Sequence, residues 1–294
     1  MLPQVKQPYE RAGELRAGVA GFEALPVGIP VVVGWNDMNA AFLGMGALTN
    51  GFVGLNLTGT SEHLGCVGPC VHVAREAYLG VNRVLFLDDR EAFYGVTSSG
   101  GQAVEWFVKD LMGAKDVHDY FNKLFENQDE IPLASNDNLL FLPYIEGERN
   151  PWNNPEVRGV FFGLSRSHRQ IYLAVAVLEG VCFALRAIYD QLPVKPEQMI
   201  VSGGASTDDL WNQMKANVMN APFVKLNTTE AGCTGAAILA LSILHLGMSF
   251  KEGTAKIVRP IQTYRPDADR CARYEKNISS FWRCIITWKS RCLT

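Results

Sequence analysis

The 294-residue chain is 48% hydrophobic and 19% charged, enough apolar material for a large core and too much for a disordered segment. A formal charge of −3 lacks the basic excess of a nucleic-acid surface, so no nucleic-acid partner is expected. Residues 1–10 contain Pro3 and Pro8 and no apolar leader, and the odd, scattered set of seven cysteines fits reduced thiols, so a cytoplasmic setting is expected.

Residues 1–30, rich in proline and glycine, read as a linker or the tail of another unit. Pro30-Val31-Val32-Val33-Gly34 reads as a short buried strand. Residues 36–45 read as a helix from the spacing of Ala40, Ala41 and Leu43. A second strand is predicted over 52–57, with Thr58-Gly59-Thr60-Ser61 as the polar turn after it. A hairpin is predicted from 84–87 and 92–96 around Asp88-Asp89-Arg90. Thr97-Ser98-Ser99-Gly100-Gly101 opens a predicted helix over 102–111, and another follows over 117–125. Residues 127–165, rich in Asn, Pro and Gly, read as long ordered loops.

Ser167 is expected to cap a helix over 168–190. Its apolar stretch, 171–189, holds Glu179 and Arg186, which are costly in lipid, so a core helix is predicted and no membrane span. Residues 199–201 read as a strand with the exit turn Ser202-Gly203-Gly204-Ala205-Ser206. Helices at 207–219, 231–246 and 268–288 and a strand at 223–226 complete an α/β pattern of mixed layers.

The turns at 58–61, 97–101 and 202–206 share one design, small residues after a strand. Glycine lets backbone N–H groups approach a ligand, and a helix start beyond such a turn attracts an anion. The set suggests a nucleotide cleft built from several corners; each turn alone also reads as an ordinary tight turn. The chain has no Walker-type or dinucleotide-binding glycine motif and no protein-kinase signature. Asp37 follows a strand and starts a helix. There it can accept a proton from a hydroxyl nucleophile, or simply cap the helix.

Cys66, Cys70 and His72 lack a fourth partner for zinc, so no metal site is expected. Asp88 and Asp89 could pair as acid and base but read as a solvated turn; His63 could touch a ligand but reads as a surface or supporting residue; Glu148 and Arg149 could orient substrate but read as an ion pair holding their loop. Gly232, Gly235, Ala236 and Ala237 read as close helix packing, with Gly232 also able to back a pocket.

An ordered set of segments resembles the FGGY family of carbohydrate kinases, of which xylulokinase is a member. Gly34-Trp35-Asn36-Asp37 through Gly44 resembles the segment carrying the family's catalytic aspartate. Asn56-Leu57-Thr58-Gly59-Thr60-Ser61 resembles its phosphate loop, and Ser99 to Trp106 the segment approaching the nucleotide. Pro143 to Pro151 and Arg158 to Leu164 resemble two further family loops. Ser202-Gly203-Gly204-Ala205 with Trp211-Asn212-Gln213 resembles the adenine-side loop, and Glu230 to Ala237 a late helix. The match runs from about residue 25 to about residue 266.

The resemblance implies an actin-like, ribonuclease-H-like ATPase domain, a mixed sheet flanked by helices, with ATP and Mg²⁺ as cofactors. It implies that Asp37 is the base and that Thr58, Gly59 and Thr60 cradle the transferring phosphate. Gly100, Gly101, Gly203, Gly204 and Ala205 would line ADP, with Asn212 near adenine. The implied acceptor is a hydroxyl of a small sugar, a pentulose such as xylulose.

In domain terms, residues 1–30 resemble the tail of a preceding domain and a linker, 31–266 the C-terminal ATP-binding domain, and 267–294 a final helix and tail. Two positions depart from the family pattern: Tyr172 replaces a usual polar residue, and Trp35 is bulky for its place. The alternative is a non-catalytic nucleotide-binding or scaffold domain of the same fold. A homodimer is left open.

Overall fold

The computed structural model describes residues 4–48, 51–87, 89–126, 131–133, 139–244 and 248–292. The strands in chain order are β1 (Arg11–Glu14), β2 (Pro30–Val32), β3 (Val53–Thr58), β4 (Glu62–Pro69), β5 (Asn82–Leu87), β6 (Arg90–Thr97), β7 (Leu140–Leu142), β8 (Val160–Phe162), β9 (Met199–Gly203), β10 (Phe223–Leu226) and β11 (Pro260–Tyr264). The helices are α1 (Asp37–Gly44), α2 (Gly101–Trp106), α3 (Val117–Leu124), α4 (Gln170–Asp190), α5 (Asp209–Met219), α6 (Ala231–Ile243), α7 (Phe250–Ile257) and α8 (Ala268–Cys292).

Among the described residues, seven strands form one sheet in the order β11-β10-β9-β3-β4-β6-β5. β3, β9 and β10 run parallel, and the remaining neighbours pair antiparallel. Strand alternation divides the side chains between two cores. Leu64 and Cys66 of β4, Phe93 of β6, and Met199 and Val201 of β9 pack with α4, α5 and α8. Val53 and Leu55 of β3 and Ile200 of β9 pack on the other side with α1 and α6. Each fully buried Phe or Leu contributes roughly 2 kcal/mol by leaving water.

α1 and α6 touch backbone to backbone. A Cβ on Gly235 would stand 1.8 Å from the carbonyl oxygen of Ala40, so only glycine permits this crossing. α4 is 78% buried over its most apolar window, a core helix as expected.

Several expectations need correction. β2 pairs with β1 and stands apart from the main sheet, so Val31 and Val33 are 42% and 43% exposed. The turn at 58–61 follows β3 as expected and closes a β3–β4 hairpin. β4 was unforeseen, because Gly65, Gly68 and Pro69 weaken its strand pattern. The expected loop region contains the β7–β8 pair, and α7 and β11 were also unforeseen. Ser167 does not cap α4. That helix starts after Arg169, and the Ser167 hydroxyl bonds Ser165. Asp88 lies outside the described residues.

Candidate active site

The ends of β3 and β9 converge because they are adjacent and parallel, with Thr58 paired to Gly203. Gly203 has φ +99°, and a Cβ there would stand 2.0 Å from the Thr58 carbonyl oxygen. No other residue allows the two corners to meet so closely. The Thr58 hydroxyl donates to the Ser202 carbonyl at 3.1 Å. The Gly101 and Gln102 N–H groups donate to the Gly59 and Thr60 carbonyls at 2.8 and 3.0 Å. The turn at 97–101 therefore backs the turn at 58–61.

Asp37 is not the cap of α1. Asn36 is, its side chain accepting from the Asn39 N–H at 2.8 Å. Asp37 is the first helical residue, exposed, with Oδ1 accepting the neighbouring Met38 N–H at 2.7 Å. Capping is done by its neighbour, which leaves this carboxylate available to face ligand.

Two crevices meet at Asp37. The first, of about 400 Å³, is lined by Asp37, Thr58, Gly59, Thr60, Gly203 and Gly204, and by Glu230 and Gly232 at the start of α6. A Cβ on Gly204 or Gly232 would enter open space. The starts of α1 and α6 both border this cavity, and helix N-termini favour anions. Its size and open glycine walls suit a phosphate chain. The second crevice, of about 690 Å³, is lined by Asp37, His63, Arg75, Arg149, Asn150 and Asn153. Asp37, Met38 and His63 belong to both.

The pleat of β4 explains His63. Glu62 points into the core beneath α5, and His63, one residue on, points towards Asp37. Burial and then the Arg149 charge hold the imidazole below its ordinary value of 6.5, against the raising influence of Asp37 and Glu62. His63 is thus neutral at pH 7. It lines the cleft, the position its ligand-contact reading requires.

The expected Glu148–Arg149 ion pair is replaced by a clamp. Glu148 accepts from the Thr97 hydroxyl at 2.6 Å, the Ser98 N–H at 3.0 Å and the Arg149 N–H at 2.7 Å. The Arg149 guanidinium instead donates to the Ser98 hydroxyl at 3.3 Å. Burial outweighs these donors and lifts the Glu148 carboxyl to about 7.

The structure thus brings Asp37, Thr58, Gly59, Thr60, Gly203 and Gly204 to one cavity. Gly100 and Gly101 lie behind its wall, packed on Glu62 and Gly59. Ala205 is half-buried on the short helical turn Gly204–Thr207. Asn212, expected near adenine, is fully buried and donates to the Ser206 carbonyl at 2.8 Å; it holds that turn from within. Gly232 lines the cavity, while Gly235 is the residue that packs closely.

No group of three or more His, Cys, Asp or Glu side chains suited to a metal occurs among the described residues. Cys66 is buried with its thiol pushed up to about 12 by burial, whereas Cys70 and His72 are exposed.

Sequence reasoning missed a fully buried set beneath the corners: Asn56, Glu62 and Lys215. The Lys215 ammonium lies 2.8 Å from Glu62 Oε2, but the two residues are 153 positions apart, a separation that carries no spacing signal. It also missed Asn150, whose side chain bonds both Val96 N–H and the Gly80 carbonyl at 3.0 Å.

Residues 54–243 match the C-terminal domain of the FGGY family of carbohydrate kinases. The chain belongs to this family. It is 31% identical over 293 residues to a xylulose kinase of Lactococcus lactis, a match covering 97% of this chain and 56% of that protein. A gluconokinase of Bacillus licheniformis is 29% identical over 228 residues, covering 72% of this chain and 42% of that enzyme. The crystal structure of a ligand-bound xylulose kinase from Lactobacillus acidophilus superposes with a TM-score of 0.83 at 23% identity, covering 96% of this chain and 56% of that one. The fold is therefore the actin-like ATPase fold of these FGGY kinases. The chain spans about half the length of the curated relatives it matches.

Proposed function

We propose that this FGGY chain supplies the nucleotide-binding side of a kinase that transfers the γ-phosphate of ATP to a hydroxyl of a small sugar, a pentulose such as xylulose. One observation carries the reading: the Asp37 carboxylate stands where a glycine-walled crevice meets a polar one. A nucleotide tail on one side and a sugar on the other would meet at that carboxylate. The pentulose assignment is supported by xylulose kinases that match over 96–97% of this chain; gluconokinases, matching over 72% in sequence, are the competing sugar class.

In this reading Asp37 accepts the proton of the attacking hydroxyl. Thr58, Gly59 and Thr60 cradle the phosphoryl group, with the Gly59 and Thr60 N–H groups and the Thr60 hydroxyl as donors, while the Thr58 hydroxyl stays bonded to the Ser202 carbonyl and fixes the start of the turn. Gly203, Gly204 and Ala205 border ADP; Gly100 and Gly101 brace the corner from behind, and Asn212 holds the 204–207 turn. When bound, Mg·ATP would supply the phosphoryl group and neutralise charge on its phosphates; Asp37 and Glu230 are the carboxylates lining the crevice that would receive it. The protein's own contribution is positioning and a dipole-lined cradle, since phosphoryl transfer needs little covalent help.

The test is sugar-dependent ADP release by a two-domain protein carrying this chain. Asp37→Ala lowers turnover about 10³-fold, the size of a lost general base, and leaves ADP affinity unchanged. An Asp37→Ala protein with full turnover contradicts the assignment. Nucleotide binding without sugar-dependent release in the unaltered protein favours the scaffold alternative.

A further inference from the structure

Asn56, Glu62 and Lys215 are each fully buried. The Lys215 ammonium reaches Glu62 Oε2 at 2.8 Å, Glu62 Oε1 at 3.1 Å and Asn56 Oδ1 at 3.1 Å, and lies 4.5 Å over the Trp211 ring. The Asn56 amide donates to Glu62 Oε2 at 2.9 Å and to the His63 carbonyl at 3.2 Å. Both oxygens of the carboxylate and both polar atoms of the amide are thus satisfied.

Burying such a pair is expensive, and well-packed apolar side chains commonly replace one without loss of stability. Stability alone therefore does not account for this set. Its location offers a reason. Asn56 lies two residues before Thr58 on β3. Glu62 directly follows the 58–61 turn and also floors the 97–101 turn, since a Cβ on Gly100 would stand 2.7 Å from Glu62 Cγ. Lys215 is on α5, the helix that begins after the 204–207 turn, one helical turn beyond Asn212 and its bond to Ser206. Each corner of the glycine-walled crevice is thus tied to one member of the set.

We propose that Asn56, Glu62 and Lys215 act as a positioning unit that locks the three glycine corners in their converged geometry before nucleotide arrives. The inference rests on reading that crevice as the nucleotide site. None of the three lines the crevice, so they act through the turns. Holding the donors in place beforehand removes an ordering cost that binding would otherwise carry.

The experiment uses the whole chain and its Lys215→Met/Glu62→Gln double variant, which removes both charges at similar volume. Three quantities are measured: melting temperature, Mg·ADP affinity by calorimetry, and backbone amide exchange without ligand. The expected result is a melting temperature near wild type, Mg·ADP affinity weaker by about tenfold, and faster exchange confined to residues 58–61, 99–102 and 203–206.

A folded double variant that binds Mg·ADP as wild type does and exchanges like wild type at those corners overturns the proposal. Should the double variant not fold, Glu62→Asp keeps the charge but withdraws the carboxylate by one methylene. The same pattern of exchange is expected of it, and wild-type exchange at the corners overturns the proposal equally. A wild-type chain that binds no Mg·ADP defeats the nucleotide reading instead, and the exchange pattern still decides whether the unit holds the corners.

Discussion

On one side of Asp37 the walls are backbone; on the other they are side chains. The glycine-walled crevice owes its shape to strand ends that approach within contact distance, with Gly203 against the Thr58 carbonyl and Gly101 bonded to Gly59. The polar crevice is held by amides and carboxylates reaching between strands and loops. Asn150 spans Val96 and Gly80, Asn82 reaches the Tyr94 carbonyl at 3.3 Å, and Glu148 gathers three donors. The first wall fails when atoms are added and the second when they are removed. On the proposed reading the backbone cradle takes a phosphate chain, which is alike in every kinase that uses ATP, and the side-chain walls take the sugar, which varies and whose walls can be exchanged one at a time.

The contrast is open to breaking at four places. The largest effect is expected at Gly203→Ala, where φ is +99° and the new Cβ overlaps the Thr58 carbonyl. Urea denaturation should show a loss of about 3 kcal/mol or more, together with lost Mg·ADP binding. Wild-type stability there would mean the corner is not held by backbone contact.

Asn150→Ala comes next. It strips partners from the Val96 N–H and the Gly80 carbonyl and should cost about 2 kcal/mol, while sparing Mg·ADP affinity. Asn36→Ala removes the cap of α1, with an expected cost of about 1 kcal/mol read as a lowered melting temperature. A larger fall in turnover than in stability would show that the cap also aims Asp37.

The smallest effect is a pH slope. Burial lifts Glu148 from an ordinary 4.5 to about 7, so the folded chain holds this proton more tightly than the unfolded one. Its contribution to stability is full below about 4.5 and is lost as pH rises through about 7. Melting temperatures of wild type and Glu148→Gln, compared between those limits, should diverge in that direction. Parallel curves would place the clamp outside the titration.

The two walls also differ in how far they could be read from sequence. The backbone wall was legible because its device is compositional: a strand followed by glycine and hydroxyl residues, three times over. Even there, the strand that follows the 58–61 turn is hidden in the sequence. β4 carries Gly65, where a Cβ would meet the Phe93 carbonyl at 2.3 Å, and Gly68, set against the Phe52 ring. Those glycines serve close packing, yet in a linear reading they break a strand.

Asn212 was placed by motif near adenine, while burial turned its amide to Ser206. Of the side-chain wall, His63 and the 143–151 loop were legible, but the Asn150 contacts and the Lys215–Glu62 pair were not. Asn150 lies 54 and 70 residues from its partners and Lys215 lies 153 from Glu62, and a single lysine on a helix with polar positions looks solvated until the fold puts a carboxylate opposite it.

The central claim is that nucleotide phosphates occupy the glycine-walled side of Asp37. Titrating the isotope-labelled chain with Mg·ADP and following its backbone amide resonances tests this directly. Shifts clustered at 59–61, 203–204 and 230–232, with little change at 149–153, are the predicted result. Shifts centred on 149–153, or none at saturating Mg·ADP, contradict it.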